Sequence, residues 1–163
     1  MERIEEGDLA RLAELASLAE RGLFERNPAG AGRYEGRLLC RALCQGAALH
    51  FVDGTSGVKD FDVWSFYTVR EDGLPFPYRW RGTEDYGPSK FGRYPEDPES
   101  FIGRRVDLLG RSLPVGPSAD PVAAVREYLT AAGSVTARFL ASKAVVLVEP
   151  VERRGQVIWP VDA

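Results

Sequence analysis

The stretch DFDVWSFYTV, residues 60–69, restricts the fold of this chain more than any other. Its aromatic and β-branched residues predict a strand. Yet the strand opens with two aspartates, Asp60 and Asp62, one residue apart. Carboxylates are seldom buried unless they are paired or bind a metal. Side chains two apart on a strand share a face, roughly 6.6 Å apart along the chain, so this pair projects together. Two carboxylates at that spacing can grip one divalent ion, or bridge two ions about 3.5–4 Å apart as phosphoryl-transfer sites do. A third is expected from a neighbouring strand. Asp107, flanked by Val106 and Leu108, is the acidic residue inside the strand-like run RRVDLLGRSL, 104–113. Strands pair at ~4.8 Å, close enough for carboxylates on adjacent strands to share a metal.

Just upstream lies GTSGVK, 54–59. Gly54 and Gly57 let a backbone come close to a ligand, and successive amides can form an anion-binding nest. Thr55 and Ser56 add hydroxyl donors, and Lys59 can neutralise a phosphate oxygen. The competing reading of the two glycines is plain hairpin chemistry.

Around this centre the periodicity predicts an α+β chain with a small mixed sheet flanked by helices. Leu9, Leu12, Ala13, Ala16, Ala19 and Leu23 recur at helical spacing, so 8–24 reads as an amphipathic helix that NPAGAG (27–32) ends. Residues 34–45 read as a second helix, with Gly46 marking its end, and AALHFVD (47–53) as a buried strand antiparallel to 60–69. Residues 70–102 read as a long loop rich in Pro, Gly and aromatics. Such loops are usually functional or disordered, and the aromatics argue against disorder. Its Tyr78, Trp80 and Phe91 are expected to anchor it to the core, with Arg79, Arg81, Lys90 and Arg93 paired to Glu84, Asp85, Glu96 and Asp97. Asp120 before Pro121 starts a helix over 121–132, Ser134 caps a shorter one, and AVVLVEPV and QVIWPV read as late strands.

The 163 residues suit one domain, in which 1–33 supply a helix and linker, 34–113 the core with its site, and 114–163 the closing helices and strands. A net charge of −3 argues against coating nucleic acid through a broad basic surface. No apolar run approaches the ~20 residues that span a bilayer, and the charged amphipathic start lacks a signal core, so a cytoplasmic location is expected. Cys40 and Cys44, the two cysteines, read as buried free thiols, and His50, the lone histidine, as a satisfied core residue.

The order helix, strand, Gly-Thr turn, Asp-x-Asp strand and later strand aspartate resembles the polymerase-β-type nucleotidyltransferase superfamily. The resemblance covers about residues 36–113. It implies that Gly54 and Thr55 contact the triphosphate of a nucleoside triphosphate. It also implies that Asp60, Asp62 and Asp107 hold one or two Mg²⁺ ions, and that Asp107 assists deprotonation of an acceptor hydroxyl. The acceptor, a small molecule or a protein, is not specified. Two other readings compete: a non-catalytic regulatory or antitoxin-like interaction module on the same scaffold, and a metal-assisted phosphohydrolase. In the first, Asp62 pairs with Lys59 or an arginine, and Asp107 with Arg104, Arg105 or Arg111.

Overall fold

A computed structural model describes residues 2–55, 57–77 and 81–162, Arg81 by its backbone only. Helix α1 (Glu6–Arg26) follows the predicted stripe and buries Leu9, Leu12, Ala13, Leu15, Ala16 and Leu23. The Glu5 amide donates to Asp8 Oδ2 at 2.8 Å, satisfying a backbone donor at the helix start.

The next two elements reverse the sequence expectation. Residues expected to be helical form strand β1 (Leu38–Cys44), and the expected strand is helix α2 (Gln45–Asp53). Both faces of β1 are covered, so its apolar residues show no clean alternation, and a short apolar run does not reveal its period. Gly46 therefore opens a helix rather than closing one. Gly54, at φ 70°, ends α2 and donates its amide to the His50 carbonyl at 2.7 Å. The GTSGVK segment is thus a helix-to-strand link, not a hairpin turn.

Strands β2 (Asp60–Thr68), β3 (Arg81–Asp85), β4 (Arg105–Leu113), β5 (Ala144–Glu149) and β6 (Val157–Trp159) complete a six-stranded mixed sheet of order β3-β4-β2-β1-β5-β6. Only β2 and β4 pair in parallel among these neighbours. The partner of β2 expected from 47–53 is β1 instead, and the long loop contains β3. Helices α3 (Pro121–Ala131) and α4 (Val135–Ala141) start where expected, with Asp120 accepting from the Ala123 amide and Ser134 from the Ala137 amide.

The sheet has two dry faces. On one, α1 and α2 pack over Leu43, Phe61, Val63, Val106, Leu108 and Val146. On the other, α3 and α4 pack over Cys40, Ala42, Trp64, Phe66, Leu113 and Leu147. The period of two along β2 therefore sends Phe61 and Val63 to the α1 side. It sends Asp60 and Asp62 to the side of Trp64 and Phe66. Among the described residues no helix is long and apolar enough to cross a membrane.

Candidate metal centre

Three strand ends converge at one edge of the sheet. In the parallel β2–β4 ladder Asp62 stands opposite Asp107, and Asp60 opposite Arg105. Cys44, the last residue of β1, pairs with Asp62, and Thr83 of β3 pairs with Asp107. Asp60, Asp62 and Asp107 share a face, and one carboxylate oxygen from each lies within 4.8 Å of the others. Asp107 is 1% exposed, while Asp60 and Asp62 are half-buried.

Arg105 and Thr83 hold Asp107. The Arg105 Nε donates to Asp107 Oδ1 at 3.0 Å, and Thr83 Oγ1 donates to the same oxygen at 3.2 Å. Of the arginines expected near Asp107, Arg104 turns away to the Val58 carbonyl, and Arg111 lies over the Tyr128 ring. Arg105 is thus the described guanidinium bound to the cluster. Burial, and then the charge of Asp107, push Asp60 above the usual carboxylate range against the pull of Arg105 and Lys59. The hydrogen bond to Asp107 raises Arg105 further, so it stays charged.

Three carboxylates so close form a hard-oxygen donor set, which suits Mg²⁺ or Mn²⁺. The neighbouring thiols do not compete. Burial and then Asp62 raise Cys44, and burial pushes Cys40 up to about 12, so neither offers a thiolate at neutral pH. His50 is buried with Nε2 2.7 Å from the Glu2 carbonyl, as a satisfied core histidine should be.

The segment expected to hold phosphate links the end of α2 to Asp60 at the start of β2. The Gly54 amide caps α2, and the Thr55 amide donates to Asp53 Oδ1 at 2.9 Å, so both donors are spent. They also stand at the C-terminal end of α2, where the helix dipole repels an anion. Ser56 lies outside the described residues. Gly57 and Lys59 line a cavity of about 410 Å³ with Lys90, Phe91, Tyr94 and Arg104. The Lys59 ammonium is 5.6 Å from the centre of the Tyr94 ring.

The opposite end of α2 adjoins the carboxylates. Gln45, at φ 62°, turns the chain from β1 into α2 directly after the residue paired with Asp62. Its side chain is tied to the Phe139 carbonyl at 2.9 Å. No side chain caps the start of α2. A Cβ added at Gly46 would lie 4.0 Å from the Lys143 ammonium, so an exposed lysine stands over the helix start.

Sequence reasoning passed over Gln45, Gly46, Thr83 and Lys143, and took Arg105 only as a partner for Asp107. The period of two would have put Arg105 on the face of Asp107. Lys143 carried no local signal, because it meets α2 only through the pairing of β1 with β5. The aromatic anchors were partly expected. Phe91 packs edge-on to Phe61 with 5.5 Å between ring centres, whereas Tyr78 and Trp80 lie outside the described residues. Arg79 and the Arg81 side chain also lie outside the described residues, while Lys90, Arg93 and Asp85 have partners other than those expected. Lys90 reaches Asp8 of α1 and Glu5 just before it, Arg93 donates to loop carbonyls, and Asp85 accepts from the amides of Gly87, Ile102 and Gly103. No family model matches this sequence, and no curated protein or solved structure matches the chain.

Proposed function

We propose that this protein is a Mg²⁺-dependent nucleotidyltransferase of polymerase-β-like architecture, moving a nucleotidyl group from a nucleoside triphosphate to a hydroxyl acceptor. The observation that carries this reading is the convergence of Asp60, Asp62 and Asp107 on one face of adjacent strands. When bound there, Mg²⁺ would supply charge neutralisation at the phosphates and lower the pKa of a coordinated hydroxyl. The chain's own groups supply the rest. Asp60, Asp62 and Asp107 would hold the ion. Asp107, held by Arg105 and Thr83, would assist removal of the acceptor's proton in this reading.

The phosphate tail would lie at the start of α2 rather than at GTSG. Its first amides point out of the helix and carry no side-chain cap. Lys143 stands over the same turn. A cation at a helix N-terminus is unfavourable, so Lys143 is placed where an anion would relieve it. An anion there would lie beside Asp62, which is what a phosphate bridged to a carboxylate-held ion requires.

The experiment is nucleoside triphosphate binding by calorimetry with and without Mg²⁺. Asp60→Asn with Asp62→Asn should abolish Mg²⁺-dependent binding without lowering the melting temperature in EDTA. Lys143→Ala should weaken triphosphate binding far more than nucleoside binding. A non-catalytic interaction module is favoured by one observation, the Arg105–Asp107 ion pair that already satisfies part of the cluster. In that case the double variant would lose stability in EDTA and the wild type would bind no triphosphate. Hydrolysis of the triphosphate without any acceptor would instead identify a phosphohydrolase.

A further inference from the structure

The three strand aspartates use one face of the sheet. A separate cavity of about 410 Å³ lies where the α2–β2 link meets the loop between β3 and β4. Two of its lining residues, Val58 and Phe91, belong to the apolar layer on the α1 side, and Phe91 packs edge-on to Phe61. Asp60 and Asp62 alternate with Phe61 along β2, so they face the other side. The cavity is therefore distinct from the carboxylate cluster.

Its walls are set by bonds within the fold. Arg104 Nε donates to the Val58 carbonyl at 2.8 Å, and Nη1 donates to the Gly92 carbonyl at 3.4 Å. One guanidinium thus ties the link to the loop. Arg93 Nη1 donates to the Tyr94 and Asp97 carbonyls at 3.2 and 2.6 Å, and the Asp97 amide donates to the Tyr94 carbonyl at 3.0 Å. These bonds fix the turn that presents the Tyr94 ring. The Lys59 ammonium and the Arg104 guanidinium each lie 5.6 Å from the centre of that ring. The ring face attracts both cations and gathers two like charges at one wall.

Lys59, Lys90 and Arg104 line the cavity, and Glu2 is the one acid among its described lining residues. Lys90 is balanced from α1 and its approach, 3.3 Å from Asp8 and 3.5 Å from Glu5. Arg104 gives its hydrogen bonds to neutral carbonyls. Among the described residues neither Arg104 nor Lys59 forms an ion pair. An arginine fork and a lysine point charge are both good partners for a phosphoryl group, and rings beside them supply the apolar wall of a small-molecule site. We propose that this cavity is a second ligand site, which takes a small organic molecule bearing a phosphoryl group. The phosphoryl oxygens would meet Lys59 and Arg104, and the organic part would lie against Phe91 and Tyr94. The site needs no metal ion and does not depend on the reading of the three aspartates.

The test is calorimetry on the full chain in EDTA, with phenyl phosphate and inorganic phosphate as probes. The wild type should bind one phenyl phosphate saturably, and inorganic phosphate more weakly. Lys59→Gln, at an exposed position, should weaken both about tenfold without lowering the melting temperature. Glu2→Gln should tighten both a few-fold, a gain that damage to the fold would not produce. Tyr94→Leu should remove the preference for phenyl phosphate over inorganic phosphate. Lys143→Ala and the Asp60→Asn, Asp62→Asn double variant should bind both probes as the wild type does. Unchanged affinity in Lys59→Gln and Glu2→Gln would overturn the proposal. So would a loss of binding in Lys143→Ala or in the double variant, which would put the phosphoryl group beside the metal centre. Absence of saturable binding to the wild type would also overturn it, and would leave the Mg²⁺-dependent reading standing.

Discussion

Strand β2 carries charged clusters on both of its faces, and they are built on opposite principles. On the α1 side, Arg41 is 2% exposed and is surrounded by acceptors. Its Nη1 donates to Ser65 Oγ at 2.6 Å and lies 3.2 Å from Glu20, and its Nε lies 3.5 Å from Glu149 without hydrogen-bond geometry. Tyr67 donates to Glu20 at 2.6 Å, and burial followed by that carboxylate raises its hydroxyl pKa. This cluster pairs acid with base inside the fold, although Arg41 Nε makes no hydrogen bond. On the other face, Asp60, Asp62 and Asp107 crowd together beside Arg105, and Asp60 is pushed towards protonation. A buried charge that serves the fold is surrounded by partners. A carboxylate whose titration is perturbed by burial and by a neighbouring acid marks a candidate functional site.

The largest effect that would test this contrast is Arg41→Met. Removing one partner leaves Glu20 and Glu149 uncompensated, at a cost of about 3 kcal/mol, the lower end for broken buried pairs because both acids are partly wetted. Chemical denaturation should show the loss, and Mn²⁺ affinity should not change. If Mn²⁺ binding fell with stability, the two clusters would not be independent.

Asp60→Asn should act the other way. It should abolish Mn²⁺ binding yet hold or slightly raise the melting temperature in EDTA, because it relieves repulsion within the cluster. A clear destabilisation would put Asp60 in the same class as Glu20.

The pH dependence sharpens the point. The folded pKa of Asp60 lies above its ordinary value, so the folded state keeps a proton that the unfolded state has released. The stability contributed by Asp60 therefore falls as pH rises from the ordinary value through the folded one. The stability advantage of Asp60→Asn should grow across that window and then level off. Saturating Mn²⁺ should erase it in the wild type. Asp85 gives the reverse sign. Burial raises it, but three backbone amides outweigh burial and hold it below the usual range. Its contribution is present at neutral pH and is lost as pH falls below its ordinary value. Thermal melts from acid to neutral pH, on wild type and each Asn variant, separate the two.

The smallest effect expected is Thr83→Val. It removes a donor to Asp107 Oδ1 and should cost roughly 1 kcal/mol, with a few-fold loss of Mn²⁺ affinity. A loss as large as that of Arg105→Met would mean that Thr83, not Arg105, sets the Asp107 carboxylate.

Local signals in the sequence determined much of this molecule. The stripe of α1, the Asp120 and Ser134 caps, and the period of two that puts Asp60 and Asp62 on one face act over a few residues and needed no partner. The neighbouring segments 34–45 and 47–53 show where such signals stop. LLCRALC is apolar on both faces because sheet and helices cover it from both sides, and AALHFVD is short enough to satisfy either period. Only pairing with β2 and β5 made the first a strand, and only the turn at Gln45 made the second a helix. The same long-range pairing decided the site. It brought Asp107 opposite Asp62, put Lys143 over the start of α2, and left Gly54 at the C-terminal end of that helix. Those facts depend on strand order and register, which arise from contacts between residues far apart in the chain, and no local stretch of sequence encodes them.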